Sequence, residues 1–297
     1  MNPKVTVLMS VYNGEKYLRE SIDSILNQTF NNFEFLIIDD ASTDSSLNIL
    51  HSYSDPRIKL IKNRENIGQA ESLNFGFQKA KGKYIARMDQ DDISSLRRLE
   101  KQVQFMDNNP EIGISGCWVQ TFGENSYIWK YLTRHEYLKW GCLIDTSIFG
   151  HSSVIMRKII IDKYNIRYNK IYLNVADYEM WLKGQELFRL ANVNQVLLKY
   201  RIRENGSSVT NNIEIRNILN INKLEERLER KLSLKEMDFI LGKRFTIFSG
   251  WIFLFIDCYG KENTSMGKSY LIKLIMINMK KMIFGKLDLF IKRISFD

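Results

Sequence analysis

The chain has 297 residues, 44% of them hydrophobic and 26% charged, with only three prolines and 16 glycines. That balance is ordinary for a globular protein with a sizeable core, and it excludes a disordered, low-complexity or repeat-built chain. The formal net charge of +9 is unevenly placed: from Leu241 to Asp297, ten Lys or Arg stand against four Asp or Glu, which suits nucleic acid, nucleotide phosphates or anionic lipid.

The N-terminal stretch MNPKVTVLMSVYNGEKY has no basic region followed by a long apolar core and a small-residue cleavage site, so no signal peptide is expected and a cytoplasmic chain is. VTVLMSV (5–11) is a short β-branched apolar run, a strand. EKYLRESIDSILNQ places Leu18, Ile22, Ile25 and Leu26 on one helical face. FEFLIIDD (33–40) is a second buried strand, and Ser42, Thr43 and Asp44 offer N-cap chemistry for a helix through Leu47 and Leu50. IKLI (58–61) is a third strand, followed by a helix across Ala70, Leu73 and Phe77 that ends at Gly82. KYIARM (83–88) is the fourth strand, and LRRLEKQVQFMDNN (96–109) is a helix stopped by Pro110.

Strands alternating with helices predict βαβ units and a parallel sheet covered on both faces. Ligands of such sheets bind beyond the carboxyl ends of the strands. Here those ends read SVYNG, IDDAS, NRENIG and MDQDD, all rich in Asp, Asn, Gly or Ser. Four polar ends on one edge of an apolar sheet favour a nucleotide pocket there.

Farther on, strands are expected near ISGCWVQTF, VIMR and FRLANVNQVLLKYRIR, with a helix through DYEMWLKGQEL (177–187). From about residue 213 the chain turns charged and helical, then strongly apolar at FTIFSGWIFLFIDCYG (245–260), then basic and amphipathic. The apolar stretch is short for a membrane span, which needs about 20 residues, so buried core and membrane-embedded readings both stand. In the final segment Lys273, Asn278, Lys280, Lys281, Asp288 and Lys292 share a broad face opposite Leu, Ile, Met and Phe, with Lys286 and Arg293 as exceptions. That pattern suits a helix lying on anionic lipid better than one on nucleic acid. Cys117, Cys142 and Cys258 have no metal-ligand spacing and an odd count, so reduced thiols are expected.

The cluster RMDQDDISS (87–95) sets three carboxylates within four positions at a strand end. An EF-hand loop is excluded, because Ile93 and Ser94 fall where its fifth and sixth positions need Asp or Asn and Gly. A dinucleotide fold is excluded too: YNGEKY follows the first strand instead of a G-x-G-x-x-G. A solvated turn remains open, beside a D-x-D whose carboxylates hold a Mg²⁺ or Mn²⁺ ion that also binds substrate phosphates.

VTVLMSVYNGEKYLRESIDSILNQT, FEFLIIDDASTDSS, NIGQAESLNFGFQKAKGKYIARMDQDD and NVADYEMWLK occur in that order over roughly residues 4–200. In this the sequence resembles the family 2 glycosyltransferases of bacterial surface-polysaccharide type, which carry the GT-A nucleotide-sugar-binding fold. The resemblance implies a mostly parallel central sheet flanked by helices. It implies a transferase domain over residues 1–210, with a nucleotide-sugar half (1–110) and an acceptor half (111–210), and a helical, basic C-terminal region over 211–297. It further implies inverting, metal-dependent transfer of a sugar from a nucleotide-diphosphate donor to a hydroxyl of a lipid-linked glycan acceptor, at the inner face of the plasma membrane. A catalytically inactive nucleotide-binding or scaffold protein of the same fold is the alternative.

By the same resemblance, Val11, Tyr12 and Asn13 line the nucleotide, and Asp39 or Asp40 contacts the base. Asn66 and Gly68 flank the donor, Asp89 and Gln90 approach the ribose or donor sugar, and Asp91 binds Mn²⁺ or Mg²⁺ with Asp89 beside it. Asp177 matches the catalytic base, while His151, Glu179 and Trp181 are acceptor-site candidates. Asp177 and Glu179 equally suit a helix N-terminus, where acids complement the macrodipole, and Trp181 suits a core. Arg201 and Arg203 suit either a diphosphate or a solvated strand face. Ala176 stands where members commonly have an acid, and Leu96 falls in a segment where many have Pro. The Q-x-x-R-W motif of processive synthases is absent, implying one sugar per acceptor.

Overall fold

In the computed structural model, Val5–Val11 (β1) is buried at every position and lies between two parallel neighbours, Phe33–Asp39 (β2) and Tyr84–Met88 (β4). The structure describes residues 2–123, 126–143, 148–203 and Leu219. The chain divides into two units, Met1–Leu224 and Glu225–Asp297. The second lies outside the described residues, as do the apolar stretch 245–260 and the basic amphipathic segment.

Ile58–Lys62 (β3) extends the parallel set beyond β2. On the other flank the sheet changes character. Ile93–Ser94 (β5), Ile112–Gly123 (β6), Ile128–Trp129 (β7), Ile155–Arg157 (β8) and Arg189–Ile202 (β9) complete the order β3-β2-β1-β4-β8-β6-β9-β5, with β7 on the side of β6. β8 runs antiparallel to both β4 and β6, whereas β6 and β9 run parallel. The βαβ half is thus parallel as its alternation predicts, and the second half is mixed.

Both faces of the sheet carry a core. Val5, Val7, Met9 and Val11 pack with Leu18, Ile22 and Ile25 of Leu18–Leu26 (α1), and with Leu99, Val103 and Met106 of Arg98–Asn108 (α4). Leu8, Leu36 and Ile38 point the other way, toward Leu73 and Phe77 of Gln69–Lys79 (α3). This is the period-two alternation of a strand buried on both sides. Each such Leu, Ile or Phe contributes about 1.5–3 kcal/mol through burial. Gly76 lets α3 settle on β1, because a Cβ there would run into the Leu8 side chain.

The short helix Ser46–His51 (α2) starts two residues after the expected cap. Asp44 still caps the turn, its Oδ1 accepting the Ser46 N–H at 2.9 Å, while Ser42 and the Asn13 side chain serve the neighbouring loop. The second half adds His135–Leu143 (α5), Lys158–Lys163 (α6) and Ala176–Leu187 (α7). Trp181 of α7 is buried with its ring edge-on to Phe149, 5.1 Å between centroids. Among the described residues, no helix is long and apolar enough to cross a membrane.

Candidate active site

The loops after β1 and β2 are tied to each other. The Asp40 N–H donates to Val11 O at 2.7 Å, Gly14 N–H to Ser46 Oγ at 2.8 Å and Thr43 N–H to Asn13 Oδ1 at 2.8 Å. Asn13 and Ala41 both sit at positive φ, 48° and 59°, a region side chains other than Gly enter only when the surroundings impose it. The side chain of Asn13 is therefore committed to the loop, while the ring of Tyr12 stays 43% exposed.

The paired acids Asp39 and Asp40 differ sharply. Asp40 accepts from Asn63 Nδ2 at 2.7 Å and Ile67 N at 3.0 Å on one oxygen, and from Gly68 N at 2.9 Å on the other. It hangs the whole 63–68 loop, at whose end Gly68 adopts φ 87°; Asn66 adds a hydrogen bond of its own to the Gly68 N–H, 3.1 Å. Asp39 is fully buried at the end of β2, and neither of its oxygens has a hydrogen-bond partner. An unpaired buried carboxylate is costly, and it is the kind of group a ligand N–H satisfies. A cavity of about 390 Å³ lies along the loop, lined by Asn63, Arg64, Glu65 and Asn74, and reaches none of the acidic cluster.

The cluster itself is held by cations and donors. Arg87, buried in β4, ion-pairs with Asp89, whose other oxygen takes Gln69 Nε2 at 3.3 Å. Gln90 brackets the Tyr12 backbone, accepting its N–H at 2.9 Å and donating to its carbonyl at 3.0 Å. Asp92 is fully buried, accepting from the Ser152 hydroxyl and from Arg201 N at 2.9 Å. Asp91 pairs with Arg203 at 2.7 Å, and its backbone carbonyl takes Arg201 Nε at 2.9 Å. Burial, with Asp89 adding repulsion, pushes the Asp91 carboxyl up, and Arg203 and Arg87 oppose it. Burial, then Asp89 and Asp91, pushes Asp92 well above the usual carboxylate range. The repulsion that makes the cluster conspicuous in the sequence is thus real, and arginines from β4 and from the end of β9 offset part of it.

Asp177 lies in the first turn of α7, with Oδ1 accepting the Tyr178 N–H at 2.8 Å. The charges of Asp177 and Asp89 both act on Tyr168. Its buried phenol is pushed up by desolvation, against Arg87 and with help from Asp177 and Asp89. Tyr168 also hydrogen-bonds His151 Nε2 at 2.8 Å and stacks on Phe77, 5.6 Å between centroids. Desolvation and the Arg87 charge hold the His151 imidazole well below its ordinary pKa, so it is neutral. Its ring meets Trp181 edge-on at 6.3 Å. Glu179 is buried, ion-paired to Lys183 through one oxygen, and its Oε2 is unpartnered.

Among the described residues, no group of three or more His, Cys, Asp or Glu is arranged to hold a metal alone. Mg²⁺ and Mn²⁺ at phosphate-transfer sites need less: one or two carboxylates, with waters and phosphates completing the shell. Asp91 fits that role. The Asp91 side chain retains 12% of its exposure, and the charge facing its Oδ2 belongs to Arg203, a 40% exposed side chain. Asp92 has both oxygens engaged within the protein, and Asp89 faces the buried Arg87.

Four residues here escape sequence reasoning: Arg87, Ser152, Tyr168 and Glu20. A charged residue inside the apolar strand KYIARM is a usable signal for Arg87, whereas nothing in the sequence marks Tyr168 or Ser152. Glu20 joins through Arg201, whose guanidinium it binds while the rings of Tyr17 and Phe122 cover the cation at 4.1 and 4.3 Å.

Residues 6–165 match the family model described as glycosyl transferase family 2. An uncharacterized glycosyltransferase of Haemophilus influenzae is 36% identical over 225 residues, 71% of this chain and 69% of that protein. The Escherichia coli UDP-Glc:alpha-D-GlcNAc-diphosphoundecaprenol beta-1,3-glucosyltransferase WfgD is 27% identical over 208 residues, 70% of this chain and 80% of that one. Among solved structures, residues 1–349 of Staphylococcus aureus TarS in complex with UDP-GlcNAc superpose with a TM-score of 0.64 at 20% identity, covering 84% of this chain and 75% of that one. The Pyrobaculum calidifontis mannosyltransferase PcManGT, in complex with GDP-Man and Mn²⁺, gives 0.57 at 14% identity over 94% of this chain and 81% of that one. Both likenesses show the GT-A fold.

Proposed function

This chain belongs to glycosyl transferase family 2, and on that premise we propose that it moves a sugar, with inversion, from a nucleotide-diphosphate donor to a hydroxyl of a lipid-linked glycan acceptor. The observation that carries the reading is the unpartnered carboxylate of Asp39, buried at the carboxyl edge of the parallel strands. A nucleobase N–H supplies the donor that Asp39 lacks. Tyr12, exposed beside it, offers a face to the base, and the loop hung from Asp40 borders the nucleotide.

Asp91 is the residue that would hold a divalent ion, which when bound neutralises charge on the leaving diphosphate. Asp89 lies against Arg87 and orients toward the donor sugar or ribose; Gln90 fixes the loop on which these acids sit. Asp177 takes the proton from the acceptor hydroxyl as the new bond forms, a general-base contribution of typically ~10²–10⁴-fold. One displacement without a covalent intermediate inverts the anomeric centre. The base then stands across the sugar from the leaving group, which agrees with its coming from α7 rather than from the acidic cluster. His151, Tyr168 and Trp181 stand on the Asp177 side of the site, Glu179 lies two residues farther along α7, and we assign this group to the acceptor.

The relative WfgD, whose name specifies a diphosphoundecaprenol-linked acceptor, supports surface-polysaccharide synthesis and a lipid-linked substrate. A peripheral position at the inner face of the plasma membrane follows from such a substrate and from the basic C-terminal sequence. Thermal-shift screening against a panel of nucleotide sugars with Mn²⁺ tests the donor assignment. A stabilising UDP- or GDP-sugar is expected, and no response to any nucleotide diphosphate would overturn it.

A further inference from the structure

Two arginines flank the same aspartate, and the structure holds them differently. Arg201 is locked: it donates to the Asp91 carbonyl at 2.9 Å, binds Glu20, and lies between the rings of Tyr17 and Phe122. Arg203, two residues on, has a 40% exposed side chain whose ion pair is with Asp91 Oδ2 at 2.7 Å. That oxygen belongs to the carboxylate best placed for the divalent ion. A guanidinium and a metal ion compete for that oxygen, and their like charges repel across the one carboxylate.

We infer that Arg203 is the site's resident counter-cation. It occupies Asp91 while the site is empty, yields the carboxylate to the divalent ion, and turns its guanidinium to the donor's diphosphate. The inference rests on the donor-site reading for its second half only. A guanidinium suits both partners, because its planar donor fork matches carboxylate and phosphate oxygens alike. Half exposure leaves it free to change partners, and Arg201 keeps the strand end fixed while it does. The consequence is ordered loading: the ion alone must displace an internal cation, whereas the ion arriving with diphosphate gives that cation somewhere to go.

The test uses the full chain and Mn²⁺ alone, following the free-ion signal by electron paramagnetic resonance without nucleotide. Arg203→Gln is expected to bind Mn²⁺ at least about fivefold more tightly than the wild type, the low end of a typical coupling between sites. Arg203→Lys, which keeps the cation, should stay near wild type. The gain should vanish in Arg203→Gln combined with Asp91→Asn, which locates it at Asp91. Unchanged or weaker Mn²⁺ binding by folded Arg203→Gln would overturn the counter-cation. The second half is read by calorimetry with UDP and GDP at saturating Mn²⁺, where Arg203→Gln should bind roughly fivefold more weakly. Equal affinity would overturn the transfer to diphosphate. If the wild type binds neither nucleotide, the donor-site reading falls, while the Mn²⁺ arm still judges Arg203 independently.

Discussion

Gln90 grips the backbone of Tyr12 from both sides, accepting its N–H at 2.9 Å and donating to its carbonyl at 3.0 Å. The middle residue of the D-x-D is thereby a structural tie between the ends of β1 and β4. A Cβ at Gly14 would fall 2.6 Å from Gln90 Oε1, so the glycine makes room for this clamp. Gln90→Leu loses two hydrogen bonds, each worth about 1 kcal/mol net. A domain of this size should then melt a few degrees lower, with weaker nucleotide binding as the Tyr12 loop loosens. Thermal unfolding and UDP titration of the same variant check both effects.

Asp39 and Asp40 make a controlled pair. Asp40→Ala removes an acceptor shared by Asn63, Ile67 and Gly68, three part-buried hydrogen bonds worth about 1 kcal/mol net each, so it should destabilise the protein and loosen the 63–68 loop. Asp39→Asn breaks no hydrogen bond of the fold, so stability should hold while nucleotide affinity falls. Melting temperature and UDP or GDP affinity, measured on both variants, separate the two roles.

The neutral imidazole of His151 gives a pH signature. Its folded pKa lies well below the 6.5 of the free side chain, so the unfolded chain binds the additional proton as pH drops through 6.5. Stability therefore rises with pH up to about 6.5 and is lost progressively on acidification below it. His151→Gln should flatten that part of the profile, measured as melting temperature from pH 7 to 5. An unchanged slope would contradict the neutral histidine.

The parallel half of the fold was legible because β1, β2 and β4 are continuous apolar runs and the intervening helices keep a 3.6-residue period. In the mixed half the strands at ISGCWVQTF, VIMR and FRLANVNQVLLKYRIR were legible as well, but their mixed directions and the two-residue β5 were not. Ile93–Ser94, directly after the acidic cluster, joins the sheet only through its pairing with Lys199 and Leu198, a contact no local pattern encodes. In the site, the strand-end acids could be found from sequence, but their division of labour could not. Asp39 and Asp40 are identical neighbours, and only the fold decides that one carries a loop while the other is left unpaired. Likewise Arg203 looked like one of two equivalent strand-end arginines until Arg201 was found clamped between two rings.

The central claim is that the chain transfers sugar with Asp177 as base, apart from the acids that hold the diphosphate. The most direct measurement is the rate of nucleotide-diphosphate release from a responding nucleotide sugar, with acceptor and Mn²⁺, in wild type and Asp177→Asn. Nucleotide affinity is measured alongside. The account predicts a kcat lower by about 10²–10⁴-fold with nucleotide binding unchanged. Transfer that persists undiminished in Asp177→Asn would contradict it.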